Sequence, residues 1–119
     1  MKDFHDLKVW SKAHALTLAI YAATASFPRS ERFGLTDQMR RACTSIATNI
    51  AEGCGREGEA ELRHFLSIAR GSASELEYHL LLARDLNYLT PTDHERLSNE
   101  ITQIKRMLTV FIQKLKADS

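Results

Sequence analysis

Arginine side chains are the residues of this sequence best suited to bind a charged ligand. Apart from histidines, every basic residue from Arg29 to Arg96 is an arginine, and the lysines lie near the two ends of the chain. A guanidinium group forms paired hydrogen bonds with phosphate oxygens. The candidate phosphate contacts fall in the central segment and at one repeating position of the longest predicted helix: Arg40, Arg41, Arg56, Arg63, Arg70 and Arg84.

The alternative for these arginines is a set of ordinary surface ion pairs. Acidic residues are close to them in the sequence, namely Glu52, Glu57, Glu59 and Glu61. The sequence alone leaves both readings open.

A row of polar residues in the central segment predicts a partly buried network. Arg41, Ser45, Asn49 and Glu52 follow one another at helical spacing, with alanines on either side. We expect Glu52, and also Glu75, to pair with an arginine (Arg41, Arg56 or Arg70) and so fix the register of helices or subunits. The alternative is a solvated helix face.

Gly71 lies in the middle of the third predicted helix, where glycine costs about 1 kcal/mol relative to alanine. Its position points away from the predicted core. Either it is a tolerated surface glycine, or a helix of a second subunit approaches closely there.

Patterns typical of enzymes are weak. Glu61 and His64 match half of a di-iron motif, which needs a second such pair. Cys43 and His79 fall on predicted core faces, where packing is the usual role. No glycine-rich phosphate loop, zinc spacing or hydrolase elbow is present. The sequence therefore predicts no enzyme activity, no catalytic residue, no metal and no cofactor.

Four amphipathic segments must position these residues. We predict helices from about Asp6 to Phe27, from the N-cap Thr36 to about Gly53, from about Glu59 to Asn87, and from Pro91, after the N-cap Thr90, to near the end of the chain. Pro28 should end the first helix and a left-handed glycine the second. Short connections and no strand pattern predict an all-α, antiparallel up-down four-helix bundle comprising residues 1–119 as one domain.

The predicted core follows the spacing of apolar residues along these helices. In the second helix it comprises Met39, Cys43, Ile46 and Ile50. In the fourth it comprises Leu97, Ile101, Ile104, Leu108, Phe111 and Leu115. In the third the central row is Leu62, Phe65, Ala69, Ser72, Leu76, His79, Ala83 and Leu86. A broad apolar face extends from this row to Leu66, Ala73 and Leu80 on one side and to Ile68 and Leu82 on the other.

The overall charge gives no general attraction to a polyanion. Lys and Arg total 16 against 15 Asp and Glu, a net charge of +1, so any anion site must be local. No segment resembles a signal peptide or a membrane span. We therefore expect a cytoplasmic protein with no membrane partner and with two free thiols.

Several short motifs along the chain are distinctive. They are the Leu-Lys-Val-Trp sequence of residues 7–10, Phe27-Pro28, the Phe-Gly-Leu-Thr sequence of residues 33–36, the Asn-Ile-Ala-Glu-Gly sequence of residues 49–53 and the Gly-Ser-x-x-Glu-Leu sequence of residues 71–76. Together they extend over nearly the whole chain, which resembles one bacterial family, the 23S ribosomal-RNA intervening-sequence proteins. Cys43, Thr44 and Thr48 depart from the family pattern.

The resemblance implies a four-helix bundle that assembles into a homopentameric ring. Residues that match the family's polar and small motif positions are Arg40, Arg41, Asn49, Glu52, Arg56, Gly71 and Glu75. A related group, the accessory variability proteins of diversity-generating retroelements, is associated with nucleic acid and a reverse transcriptase. We therefore predict a non-enzymatic homo-oligomer that binds RNA or DNA; the alternative is a protein-interaction scaffold or structural oligomer with no direct role on nucleic acid.

Overall fold

The computed structural model describes residues 3–118, which form four α-helices and no β-strand. The helices are α1 (Lys8–Thr24), α2 (Leu35–Cys54), α3 (Glu59–Asp85) and α4 (Pro91–Asp118). Short 3-10 turns, Phe4–Asp6 and Arg29–Glu31, precede α1 and α2. The predicted all-α class with four helices is confirmed. None of the helices in this part of the chain is long and apolar enough to cross a lipid bilayer.

Helix α1 ends earlier than predicted, at Thr24 rather than at Phe27. The Thr24 hydroxyl donates to the Ile20 carbonyl at 2.7 Å, and the Phe27 N–H donates to the Thr24 carbonyl at 3.1 Å. The bond from Phe27 reaches back three residues, as in a 3-10 turn, and not four as in an α-helix. The chain therefore turns before it reaches Pro28.

Helix α2 begins at Leu35, with Gly34 at the N-cap position, so Thr36 is not the predicted cap. The Leu35 N–H instead donates to a carboxylate oxygen of Glu31 at 3.1 Å, and Thr36 is buried. The other carboxylate oxygen of Glu31 accepts from the Tyr88 hydroxyl at 2.9 Å. One carboxylate thus caps α2 and ties it to the connection between α3 and α4.

The helix C-termini also differ from the prediction. Gly55, which follows α2, is right-handed with φ −85°, and the left-handed residues are Gly58 (φ 87°) and Asn87 (φ 64°). Helix α3 ends at Asp85, and the Tyr88 N–H then donates to the Ala83 carbonyl at 2.9 Å. This is a Schellman ending with asparagine in the place that glycine usually takes.

The apolar core extends along all four helices. The row predicted for α2 is fully buried, and α4 buries five of its six predicted positions, with Ile112 replacing the half-buried Phe111. In α3, Phe65, Ser72 and Leu86 are half-buried or exposed, whereas Leu66, Ala73 and Leu80 are inaccessible to solvent. Leu66, Ala73 and Leu80 were predicted on the broad apolar face beside the central row, and the buried stripe of α3 lies towards them because this helix packs against both α2 and α4.

Helices α2 and α3 approach each other closely at Gly53. A Cβ atom added to Gly53 would lie 2.9 Å from the Phe65 Cβ and 3.1 Å from the Leu62 Cδ1. Farther along the pair, the hydroxyls of Ser45 and Ser72 are 2.9 Å apart. Gly53 was expected to end the helix; it is instead a buried contact that has no room for a side chain.

Candidate functional site

The six candidate arginines do not form one patch. Arg40, Arg41 and Arg56 are carried by α2 and the residues just after it, and the other three lie on α3. Arg63 and Arg84 are separated by about 32 Å along the axis of α3 at 1.5 Å per residue. Each must therefore be judged from its own surroundings.

Arg40 is used to hold α1 against α2. Its Nε donates to the Thr24 hydroxyl at 2.9 Å, one terminal nitrogen donates to the Tyr21 carbonyl at 3.3 Å, and the guanidinium lies 4.5 Å from the centre of the Tyr21 ring. Arg40 thus donates to a hydroxyl and a backbone carbonyl in the last turn of α1. Its main role is structural.

Arg41, Arg56 and Arg84 form exposed ion pairs within their own segments. Arg41 pairs with Asp37 at 2.9 Å, Arg56 with Glu52 at 3.1 Å, and Arg84 with Asp85 at 3.0 Å. A pair four residues apart, such as Arg41–Asp37, stabilises a helix by about 0.3–0.5 kcal/mol. For these three residues the structure agrees with the surface-pair alternative.

Arg70 lies on the side of α3 that faces α4. It is half-buried, and its guanidinium donates to the Thr109 hydroxyl at 3.4 Å. About one helical turn from Thr109 on α4, Lys105 pairs with Glu77 of α3 at 2.9 Å. Arg63 is also half-buried and lies about two turns before Arg70 on the same side of the helix.

Helix α4 adds a cation that the sequence prediction missed. A groove of about 460 Å³ between α3 and α4 is lined by Glu77, Thr102, Lys105, Arg106, Thr109 and Val110. We call this groove, together with Arg70, the α3–α4 face. Among the side chains that the structure describes, neither Arg70 nor Arg106 is paired with a carboxylate. The sequence did not show that Arg106 lines the groove beside Thr109, the partner of Arg70, because α4 was interpreted only through its apolar positions.

The predicted polar row on α2 is only partly connected. The Asn49 side-chain amide donates to the Ser45 carbonyl at 2.8 Å and lies 3.0 Å from the Ser45 hydroxyl, which in turn contacts Ser72 of α3. These residues are half-buried, but Arg41 and Glu52 at the two ends are exposed. The row is thus a short hydroxyl and amide network between α2 and α3 with a solvated residue at each end.

Glu75 has a different partner from the one predicted. Its carboxylate lies 3.6 Å from Nε2 of the buried His79 and does not pair with an arginine. Burial lowers the pKa of His79, and the Glu75 carboxylate opposes that shift in part. The Nδ1 atom of His79 has no hydrogen-bond partner in the described structure. His79 is a core residue as expected, but only one of its ring nitrogens faces a polar partner.

Gly71 is exposed on α3, and a Cβ atom added there would meet no atom within 4 Å. Nothing within the described chain requires glycine at this position. The structure therefore agrees with the predicted outward orientation of Gly71.

The two features that suggested enzyme chemistry have ordinary surroundings. Burial raises the pKa of the Cys43 thiol to about 11, with the Thr17 hydroxyl 3.3 Å from its sulfur. Glu61 and His64 are both exposed. Among the residues described, no three His, Cys, Asp or Glu side chains are placed to hold a metal ion.

A second groove, between α1 and α2, was not anticipated. Its volume is about 670 Å³, and it is lined by Phe4, Trp10, His14, Thr17, Tyr21, Thr44, Ala47, Thr48, Ala51 and Glu52. We call it the aromatic groove. Trp10, His14 and Tyr21 recur at helical spacing, so the sequence did contain a signal for it.

Comparison with known proteins identifies the family. The profile described as 23S rRNA-intervening sequence protein matches residues 5–110. The chain belongs to this family. No curated protein matches it.

A solved relative supports the family fold. A crystal structure of a protein of unknown function from the S23 ribosomal protein family of Bacteroides thetaiotaomicron is 28% identical and superposes with a TM-score of 0.81. The match covers 88% of this chain and 95% of the other. The family resemblance inferred from the motifs is confirmed.

Proposed function

We propose that this protein is a non-enzymatic homo-oligomer that binds RNA or DNA through the α3–α4 face. The observation that carries the proposal is the position of Arg70 and Arg106, two cations from different helices at one groove with no carboxylate partner among the described side chains. Glu77, the carboxylate of this groove, is already paired with Lys105.

Binding at this face would depend on the phosphate backbone. Arginines on a helix surface contact phosphate oxygens and carry little information about base sequence. A ring of identical subunits would repeat the face and strengthen binding through avidity.

The proposed assembly is a homopentameric ring of antiparallel up-down bundles, as the family resemblance implies. The antiparallel arrangement is supported by contact pairs whose numbers rise on one helix as they fall on the next, such as Arg70 with Thr109 and Glu77 with Lys105. A surface glycine at position 71 leaves room for another subunit. The buried thiols of Cys43 and Cys54, which form no disulfide, agree with the proposed cytoplasmic location, which is a reducing compartment.

The test is the salt dependence of binding to a short labelled RNA, followed by fluorescence anisotropy. We expect affinity to fall steeply between about 50 and 200 mM salt. The double variant Arg70→Ala/Arg106→Ala should bind more weakly and lower the slope of log affinity against log salt by about two. The matched control, Arg41→Ala/Arg84→Ala, removes the same charge from surface pairs. Equal losses in both variants, or no binding at low salt, would reject this face as the binding site.

The second candidate is a scaffold for another protein, for which a reverse transcriptase is the partner suggested by family analogy. Exposed apolar side chains favour it, including Leu18 (60% exposed), Tyr78 (59%) and Val110 (63%). Recovery of the same protein partner from nuclease-treated extract by the wild type, but not by Tyr78→Ser, would support this candidate over the first.

A further inference from the structure

The aromatic groove contains an ordered set of flat rings on the α1 side. The rings of Trp10 and His14 are parallel to within 6°, with centroids 5.2 Å apart, and Phe4 packs edge-on against Trp10 at 4.8 Å. His14 is exposed, and Trp10 is half-buried. The supported Trp10–His14 pair therefore offers a rigid surface for stacking.

Tyr21 provides a second ring farther along the same side of α1. It lies about 10.5 Å from His14 along the helix axis at 1.5 Å per residue. The Arg40 guanidinium packs on the Tyr21 ring. Stacked bases repeat at about 3.4 Å, so the length between the two rings accommodates about two bases.

The α2 side of the groove has small side chains and hydroxyl groups. Ala47 and Ala51 leave the groove open, and Thr44 and Thr48 are exposed beside them. The Thr44 hydroxyl donates to the Arg40 carbonyl at 2.7 Å, which leaves its oxygen able to accept. Such hydroxyls can bond to the edge of any base.

The charges around the groove suit a phosphate-bearing ligand. Two nitrogens of Arg40 are bonded to α1, and the third remains available at the groove end near Tyr21. Glu52, the carboxylate among the lining residues, is paired with Arg56. Flat rings, hydroxyls and a fixed guanidinium together are the features with which proteins bind single strands.

We propose that the aromatic groove stacks unpaired nucleobases of a single strand. This inference rests on the nucleic-acid binding proposed above and adds to it a preference for single strands over duplexes. The aromatic groove lies on the opposite side of the bundle from the α3–α4 face, because α1 packs beside α4 and α2 beside α3. The groove is therefore a separate site, and a strand would reach both only by passing around the bundle.

Trp10 allows a direct test because it is the single tryptophan of the chain. A single-stranded oligoadenylate of about twelve nucleotides should quench its fluorescence. Inorganic polyphosphate, which has charge but no bases, should not, and the same oligoadenylate in a duplex should quench far less. The anisotropy of a labelled strand would be measured in parallel.

Three variants locate the effect. His14→Ala, at an exposed site, should weaken single-strand binding roughly tenfold through lost stacking. Thr48→Glu, also exposed, should abolish quenching by placing a carboxylate in the groove. The control Tyr78→Ala removes an exposed ring from α3 and should leave both readouts unchanged.

The outcomes separate this proposal from the function on which it rests. Anisotropy that reports binding without Trp10 quenching would overturn the groove and leave the proposed function standing. Absence of binding in both measurements would overturn both. The Trp10 emission could also shift with protein concentration and stay unchanged when oligonucleotide is added. That result would show that a second copy covers the groove, and it would overturn the proposal.

Discussion

At the residue scale, Gly53 and Gly71 differ in how much space surrounds them, although both lie within helices. A Cβ on Gly53 would lie 2.9 Å from the Phe65 Cβ, whereas one on Gly71 would meet no atom within 4 Å. The first position is limited by packing between α2 and α3. The second carries the helix-propensity cost of glycine with no packing gain inside the described chain.

Alanine at each glycine should therefore change stability in opposite directions. We expect Gly53→Ala to destabilise the fold by about 1–3 kcal/mol through overpacking, and Gly71→Ala to stabilise a single subunit by up to about 1 kcal/mol. Urea unfolding would measure both. A neutral Gly53→Ala would show that α2 and α3 can separate at little cost.

His79 should make stability depend on pH. Its pKa is lowered in the folded protein because burial disfavours the charged ring. Between the unfolded and folded pKa values the unfolded chain binds more protons, so stability is greatest above about pH 6.5 and falls as the pH drops below it. The Glu75 carboxylate lies 3.6 Å from the ring and partly opposes the lowering of its pKa, so it reduces the loss of stability at low pH.

The measurement is the free energy of unfolding from about pH 7.5 to 5 for the wild type and His79→Leu. The leucine variant should lose less stability on acidification. Glu75→Gln should show a steeper loss than the wild type, since the carboxylate that favours the charged ring is gone. Identical pH profiles for all three proteins would contradict the assigned role of His79.

At the element scale, the helix ends depend on contacts that local sequence patterns do not reveal. Thr90 caps α4 as predicted, because its hydroxyl accepts from the Asp93 N–H at 3.1 Å and Pro91 follows directly. Thr36 matched the same kind of pattern, yet it is buried while Glu31 caps α2 from the preceding turn. The N-cap pattern therefore predicted the helix start correctly at the exposed Thr90 and wrongly at the buried Thr36.

Glu31 should be more sensitive to substitution than its partner Tyr88, because its carboxylate accepts two bonds. Glu31→Ala leaves the first N–H of α2 without its carboxylate and should cost about 1 kcal/mol. Tyr88→Phe keeps the ring that packs 5.3 Å from Phe27 and removes only the hydroxyl bond. We expect a smaller drop in melting temperature for Tyr88→Phe than for Glu31→Ala, and the reverse order would contradict the capping role.

At the scale of the whole molecule, the fold was more predictable than the candidate site. The spacing of Met39, Cys43, Ile46 and Ile50 is a local property of one helix, and all four are buried as expected. The position of Arg106 beside a groove of α3 depends on how two helices meet. Likewise, the sequence did not show that Arg40 bonds to Thr24 and Tyr21 through two of its three nitrogens, which leaves one nitrogen for a ligand.

The proposed ring can be tested by the mass of the protein in solution. Light scattering coupled to size exclusion should give about five times the 13.5 kDa of one chain if the proposed ring forms. Gly71→Arg should reduce the mass to that of one chain, while Gln103→Arg, an exposed change on α4, should not. A wild-type mass of one chain would reject the ring.

The long dimension of the molecule sets the size of its footprint on a strand. The body measures 46 × 22 × 20 Å, and stacked nucleotides advance about 3.4 Å each. A strand laid lengthwise would be shielded from nuclease over about 13 nucleotides per protomer, and one crossing the width over about six. The length of the protected fragment would therefore report the direction in which RNA crosses the helices.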